Sequence, residues 1–175
     1  MKMAWSGSAR AGENGRNGGL WFFNPYLLLC FRLLLAAVFI YAAVQKIGRP
    51  LAFADEIHTY SVVDYGAPLY LMAVVLPWIE LLCGLALAAG VAVRGAALIL
   101  LGLNAMFLAV IAKKTAGYVG GGTPFMQVYF DCGCGFGATY AWKKLLEDAV
   151  YLLLALALLA APRHRFVLSF RRRLP

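Results

Sequence analysis

Long apolar runs constrain this chain more than anything else in it. A segment needs roughly 20 apolar residues to cross the hydrocarbon of a bilayer. Three runs reach or approach that length, at about 26–47, 68–93 and 95–112. A fourth, at 145–161, is short and is extended back to about 140. Backbone polar groups in lipid must be bonded within their own segment, so the runs predict helices. The alternating pattern of a membrane barrel is absent from the sequence. The expected fold is all-α, a four-helix transmembrane bundle over residues 25–162 with both termini cytoplasmic. Composition agrees. The chain is 63% hydrophobic and 14% charged, whereas soluble domains are about half apolar and about a quarter charged.

Residues 1–24 are polar and rich in Gly, Asn and Arg. They hold no apolar core followed by a small-residue cleavage site, so a disordered cytoplasmic tail is expected. Residues 163–175 form a basic C-terminal tail. The net charge of +8 does not indicate nucleic acid, because no basic-aromatic surface runs along the chain. Such charges beside apolar spans set topology and touch anionic lipid. With cytoplasmic termini, ten Lys and Arg fall on that side (Lys2, Arg10, Arg16, Arg32, Arg94 and the five tail arginines). Six fall on the other: Lys46, Arg49, Lys113, Lys114, Lys143 and Lys144. The bias places the loop before the fourth run outside the cytoplasm, where disulfides persist.

That loop carries Asp131-Cys132-Gly133-Cys134-Gly135-Phe136-Gly137. Two thiols one residue apart in a polar, glycine-rich loop are expected to be exposed and able to bond to each other. The pair can then hold two electrons as dithiol or disulfide. Gly133 allows the backbone angles that so small a ring demands. A strained ring is easier to reduce, which suits exchange. Asp131 opposes a thiolate at Cys132. Lys143, Lys144 and the start of the fourth helix favour one if the loop folds back on them, which makes Cys134 the expected more reactive thiol. Two other readings stay open. One is a static disulfide, although a bridge across one residue removes little chain entropy. The other is a metal site completed by His58 and Asp131. Cys30 and Cys83 lie within the first and second helices and are expected to be small buried hydrophobes.

The outer loop 49–67 contains Asp55, Glu56, His58, Asp64, Phe53, Tyr60 and Tyr65, and a short helix on the membrane surface is expected there. The other outer loop, 113–139, holds Gly120, Gly121, Gly122 and Pro124, which interrupt regular structure.

Arg32, Glu80, Asn104 and Asp148 interrupt the apolar spans. Ionisable groups in lipid face the bundle interior or each other. Arg32 lies about 8 Å from the cytoplasmic face, Asn104 about 14 Å, and Glu80 and Asp148 about 18–20 Å. Glu80, Asp148, Asn104 and Tyr41 are expected to cluster, with Arg32 reaching up from below. The cluster is either a brace that fixes helix packing or a proton or quinone site beneath the thiols.

The chain resembles the MauE/DoxX-type redox-associated membrane proteins over roughly residues 27–160. The likeness rests on Arg32-Leu33-Leu34-Leu35, Tyr41-Ala42, Gln45-Lys46, Pro50, Phe53 and Tyr60. It continues through Leu76-Pro77-Trp78-Ile79-Glu80-Leu81, Gly84 and Asp131-Cys132-Gly133-Cys134. An extra Gly135 separates the cysteines from Phe136, where the family pattern reads C-G-C-F-G. The resemblance implies a four-helix bundle in the bacterial inner membrane. It also implies a role in maturing a periplasmic enzyme such as methylamine dehydrogenase. Cys132 and Cys134 would then be the redox pair, facing a thioredoxin-like or disulfide-containing periplasmic protein, with quinone a candidate cofactor. The competing expectations are a non-catalytic anchor subunit of a respiratory redox complex, as for DoxX-type proteins, and a small-solute or metal carrier.

Overall fold

The computed structural model describes residues 25–61, 63–132 and 137–161. The two expected tails, Gly133 and Cys134 lie outside them. Among the described residues five α-helices carry the fold: α1 (Pro25–Ile47), α2 (Pro50–Thr59), α3 (Ala67–Ala89), α4 (Val93–Gly120) and α5 (Ala141–Ala160). Four of them close a ring, in which α1 packs on α3, α3 on α4, α4 on α5 and α5 back on α1. The fold is therefore an all-α four-helix bundle. Leu35, Leu87, Leu100 and Leu158 fill its centre. Leu71, Leu82, Leu98 and Leu153 stand outward and exposed, which is the arrangement lipid stabilises and water would not.

Helices α1, α3 and α4 are long and apolar enough to cross a membrane. Helix α5 departs from the expected fourth apolar span, because Lys143, Lys144, Glu147 and Asp148 occupy its first two turns. Helix α4 also departs from expectation. It continues past residue 112 to Gly120, which makes Lys113 and Lys114 helical. Alanine, valine and aromatic residues between the lysines and the glycines keep the apolar helix going.

The α3–α4 turn is built for a tight reversal. Gly90 closes α3 at φ +73°, a left-handed conformation that costs glycine nothing. The N–H of Val91 then donates to the carbonyl of Ala86 at 2.9 Å, a bond that satisfies an otherwise orphaned helix end. At the same end Arg94 Nη donates to the carbonyl of Ala161 at 2.8 Å, tying α4 to the end of α5. Gly84 brings α1 and α3 together. A methyl group there would meet Ile40 Cγ1 at 2.8 Å and the Ala36 carbonyl at 3.4 Å.

The opposite end of the bundle is capped by α2 and a small hairpin. Helix α2 starts on Pro50, whose fixed φ suits a first turn, and buries Phe53, Ala54 and Ile57 mainly against α3. After α4 a single 3₁₀ turn (Phe125–Gln127) leads into β1 (Tyr129–Asp131), which pairs antiparallel with β2 (Ala138–Tyr140). The last pair of this hairpin is Asp131 with Ala138.

Candidate functional site

Cys132 sits at the end of β1 and is 1% exposed, which overturns the expectation of an exposed thiol. The hairpin folds back onto the bundle. Cys132 packs with Tyr60 from the end of α2 and Ile111 from α4, with Val110, Phe130 and Leu145 around them. The Tyr60 hydroxyl donates to the Cys132 carbonyl at 2.8 Å. This bond holds the end of β1 to α2.

The charges near Cys132 are not the expected ones. Lys143 lies over the rings of Tyr140 and Trp142. Lys144 turns into the bundle and donates to Asp148. The nearby cation is instead Lys114, which interacts electrostatically with Cys132, Asp131 and Glu56. Its Nζ lies 4.6 Å from the Phe130 ring centre and 5.0 Å from that of Tyr60, and it donates to Thr59 Oγ1 at 2.8 Å. Aromatic faces on this scale attract a cation and help to fix it.

A pocket of about 130 Å³ lies between the end of α1, α2 and the hairpin, lined by Gln45, Lys46, Arg49, Phe53, Glu56, Asp131 and Gly137. Glu56 is its titratable centre. Burial, reinforced by Asp131, pushes the Glu56 carboxyl from its ordinary 4.5 up to about 7, while Lys46 and Lys114 act in the opposite direction. The raised value means that the fold disfavours the charged form. Glu56 therefore stabilises the fold most at low pH, and that contribution is lost as pH rises from about 4.5 through about 7. Compared with wild type, a Glu56→Gln variant is expected to lose less stability between pH 5 and pH 8. Thermal unfolding at several pH values checks this, and identical slopes for the two proteins would refute it.

A second polar centre lies inside the bundle. Lys46 Nζ reaches both carboxylate oxygens of Glu80 at 2.8 Å, with side chains 5% and 1% exposed. Lys144 Nζ donates to Asp148 Oδ1 at 2.7 Å, and Asn104 Nδ2 donates to the Asp148 backbone carbonyl at 2.7 Å. Asp148 Oδ2 is buried and makes no hydrogen bond. These five residues line one cavity of about 30 Å³. That is room for about one or two waters and far too small for a quinone ring. Of the expected cluster, Glu80, Asn104 and Asp148 come together. Tyr41 does not, because its side chain faces outward at 47% exposure. Arg32 is buried but does not line the cavity.

Sequence reasoning counted Lys46 and Lys144 on the outer side of the membrane and did not foresee that they turn into the bundle. The i,i+4 spacing of Lys144 and Asp148 was an available signal. A lone glutamate in an apolar helix was another, since it requires a cation from elsewhere. Glu56 and Lys114 had no comparable signal. Cys83 is buried, whereas Cys30 is exposed on the outer face of α1, a correction to the expectation of two buried thiols. His58 stacks on Tyr65 with ring centres 3.9 Å apart. Among the described residues no three His, Cys, Asp or Glu side chains gather as a metal site.

The model of the family described as methylamine utilisation protein MauE matches residues 24–161. The chain belongs to the MauE family. The match takes in all five helices and the hairpin, so the thiol site and the buried ion pairs both fall within the family region. With three membrane-length apolar helices, the protein is a multi-pass membrane protein of this methylamine-utilisation family. No curated protein matches the chain, and no solved structure does.

Proposed function

We propose that this protein exchanges thiol and disulfide electrons through Cys132 and Cys134 on the periplasmic face of the bacterial inner membrane. Its partner is a thioredoxin-like or disulfide-containing periplasmic protein, and the exchange supports maturation of a periplasmic enzyme such as methylamine dehydrogenase. The observation that carries this reading is the company of Cys132. A cation, Lys114, and two carboxyl groups, Glu56 and Asp131, interact around it. Sulfur exchange needs such a setting, because a proton must leave the thiol and a negative charge must be tolerated. Orientation is supported by charge. Once Lys46 and Lys144 are committed to buried pairs, the outer side keeps Arg49, Lys113, Lys114 and Lys143, against ten basic residues on the other.

The burial of Cys132 orders the steps. A partner in solution meets Cys134. The Cys134 thiolate attacks a sulfur of the partner's disulfide, which gives a mixed disulfide at Cys134 and releases the second partner sulfur as a thiolate. Cys132 then attacks Cys134, the ring disulfide forms and the partner leaves reduced. The reverse sequence takes electrons from a partner dithiol, which leaves oxidised. The expected result is asymmetric. Cys132→Ser traps a mixed disulfide on Cys134, and Cys134→Ser traps none. Non-reducing electrophoresis of membranes, with mass spectrometry of the trapped species, reads this. If both variants mature the partner enzyme like wild type, the reading fails.

The anchor-subunit alternative draws support from the exposed Tyr65, Met126 and Tyr129 at the same end of the bundle. It predicts a partner complex that survives both reduction and loss of the two cysteines.

A further inference from the structure

The outward face of the hairpin carries aromatic side chains that thiol exchange does not use. Tyr129 and Tyr140 are partners across the two strands and both are exposed. Residues directly opposite in an antiparallel pair share one face, and their rings meet edge to face with centres 5.2 Å apart. Phe130, on the other face, packs inward with Cys132. Lys143, in the first turn of α5, holds its Nζ 5.6 Å from the Tyr140 ring centre and 5.5 Å from that of Trp142. It is exposed, and among the described residues it pairs with no carboxylate. We propose that Tyr129, Tyr140, Trp142 and Lys143 form a phospholipid site, in which Lys143 meets the headgroup phosphate and the three rings lie at the level of the ester groups.

Three observations favour lipid as the occupant. The first is continuity. Leu146, Val150 and Leu153 follow Lys143 at the spacing of one helix face, and all three are exposed. The lipid that covers this apolar stripe reaches Lys143 and its rings without a break. The second is length. From Lys143 to Ala160 the helix runs about 26 Å, close to the roughly 30 Å hydrocarbon core of a bilayer. With the stripe immersed, the first turn of α5 falls in the headgroup layer. The third is chemistry. Tyrosine and tryptophan join an apolar ring to a polar tip and gather in that layer.

A lysine beside such rings lays its methylene stem along them and turns its ammonium to the phosphates. Glu147, the exposed carboxylate one turn further along α5, lies 3.9 Å from Lys144. Lys143 therefore remains the cation for a lipid phosphate on this face. Cys132, at the end of the same strand as Tyr129, is thereby held at the membrane surface and not out in the aqueous phase.

Depth-dependent fluorescence quenching tests this. The full chain carrying Trp5→Phe, Trp21→Phe and Trp78→Phe keeps Trp142 as its sole tryptophan. It is reconstituted in vesicles of phosphatidylcholine, alone or in equal parts with phosphatidylglycerol. The lipid chains are brominated near the ester end or near the methyl end, and separate samples carry iodide on both sides of the membrane. Ester-end bromine is expected to quench Trp142 severalfold more than methyl-end bromine or iodide does. Phosphatidylglycerol is expected to raise the ester-end quenching, and Lys143→Gln to remove that rise. Iodide quenching that exceeds bromine quenching overturns the proposal and marks the face as open to water or to a protein partner. Equal or stronger quenching by methyl-end bromine also overturns it, because the rings would then lie in the hydrocarbon. No rise with phosphatidylglycerol, or an unchanged rise in Lys143→Gln, overturns the phosphate contact. If the triple variant does not fold, the difference in quenching between wild type and Trp142→Phe reads the same outcomes.

Discussion

Glu80→Ala is expected to destabilise the bundle by about 3–5 kcal/mol. Lys46 meets both Glu80 oxygens at 2.8 Å, and the two side chains are 5% and 1% exposed. Removing the carboxylate leaves an ammonium ion enclosed between helices. Its remaining neighbours include the rings of Phe53 and Phe107, whose centres lie 5.0 and 4.6 Å from Nζ. A cation over aromatic faces regains about 1–2 kcal/mol, less than a paired charge. The ammonium must then lose its proton, draw in water or pull α1 away from α3. A Lys46→Met/Glu80→Leu double variant is expected to recover most of the loss, because apolar groups of similar volume need no partner in a dry interior. Reversible unfolding in mixed micelles measures both. A Glu80→Ala protein within about 1 kcal/mol of wild type would show that the pair is hydrated and not structural.

The second large effect is steric. Gly84→Leu is expected to separate α1 from α3 and prevent stable folding, and Gly84→Ala to cost about 1–3 kcal/mol. The first added carbon already falls 2.8 Å from Ile40 Cγ1, 3.3 Å from the Ile40 backbone nitrogen and 3.4 Å from the Ala36 carbonyl. Ile40 can turn its side chain aside, but the backbone atoms of a packed helix cannot move singly. Small residues at such crossings let membrane helices gain close van der Waals contact, the main attraction available where lipid is as apolar as the protein. Gly102, in α4, is the control. A carbon added there meets nothing within 4 Å, so Gly102→Ala should be neutral or stabilising by up to about 1 kcal/mol. Equal losses at Gly84 and Gly102 would remove the close-approach explanation.

Both sites also show what could be read in advance. Glu80 was identifiable as buried, because a carboxylate in an apolar span must face inward. Its partner was not identifiable. Lys46 stands at the end of α1, where long cations commonly reach for solvent, and only the crossing of α1 with α3 turns it inward. The hairpin was equally hidden. Strands of three residues carry too little alternation to register as a pattern, and the pairing of Asp131 with Ala138 brackets the glycine-rich cysteine segment that the sequence presents as a loop. Because the hairpin folds back over α2 and α4, Cys132 is buried where exposure was expected. Glu56 and Lys114 could be recognised only after that fold had brought α2, α4 and β1 to one place.

From its own order of residues, the chain establishes four helical segments, a membrane setting, a loop with two adjacent thiols and polar side chains that must turn inward. These follow from local rules, because apolar length and hydrogen-bond satisfaction act within a segment and need no knowledge of neighbours. Tertiary structure decides which cation meets which carboxylate, which thiol is enclosed and which cation lies near it. Coulombic attraction and desolvation depend on distances of a few ångströms between residues far apart in sequence. Those distances exist only once the helices have packed.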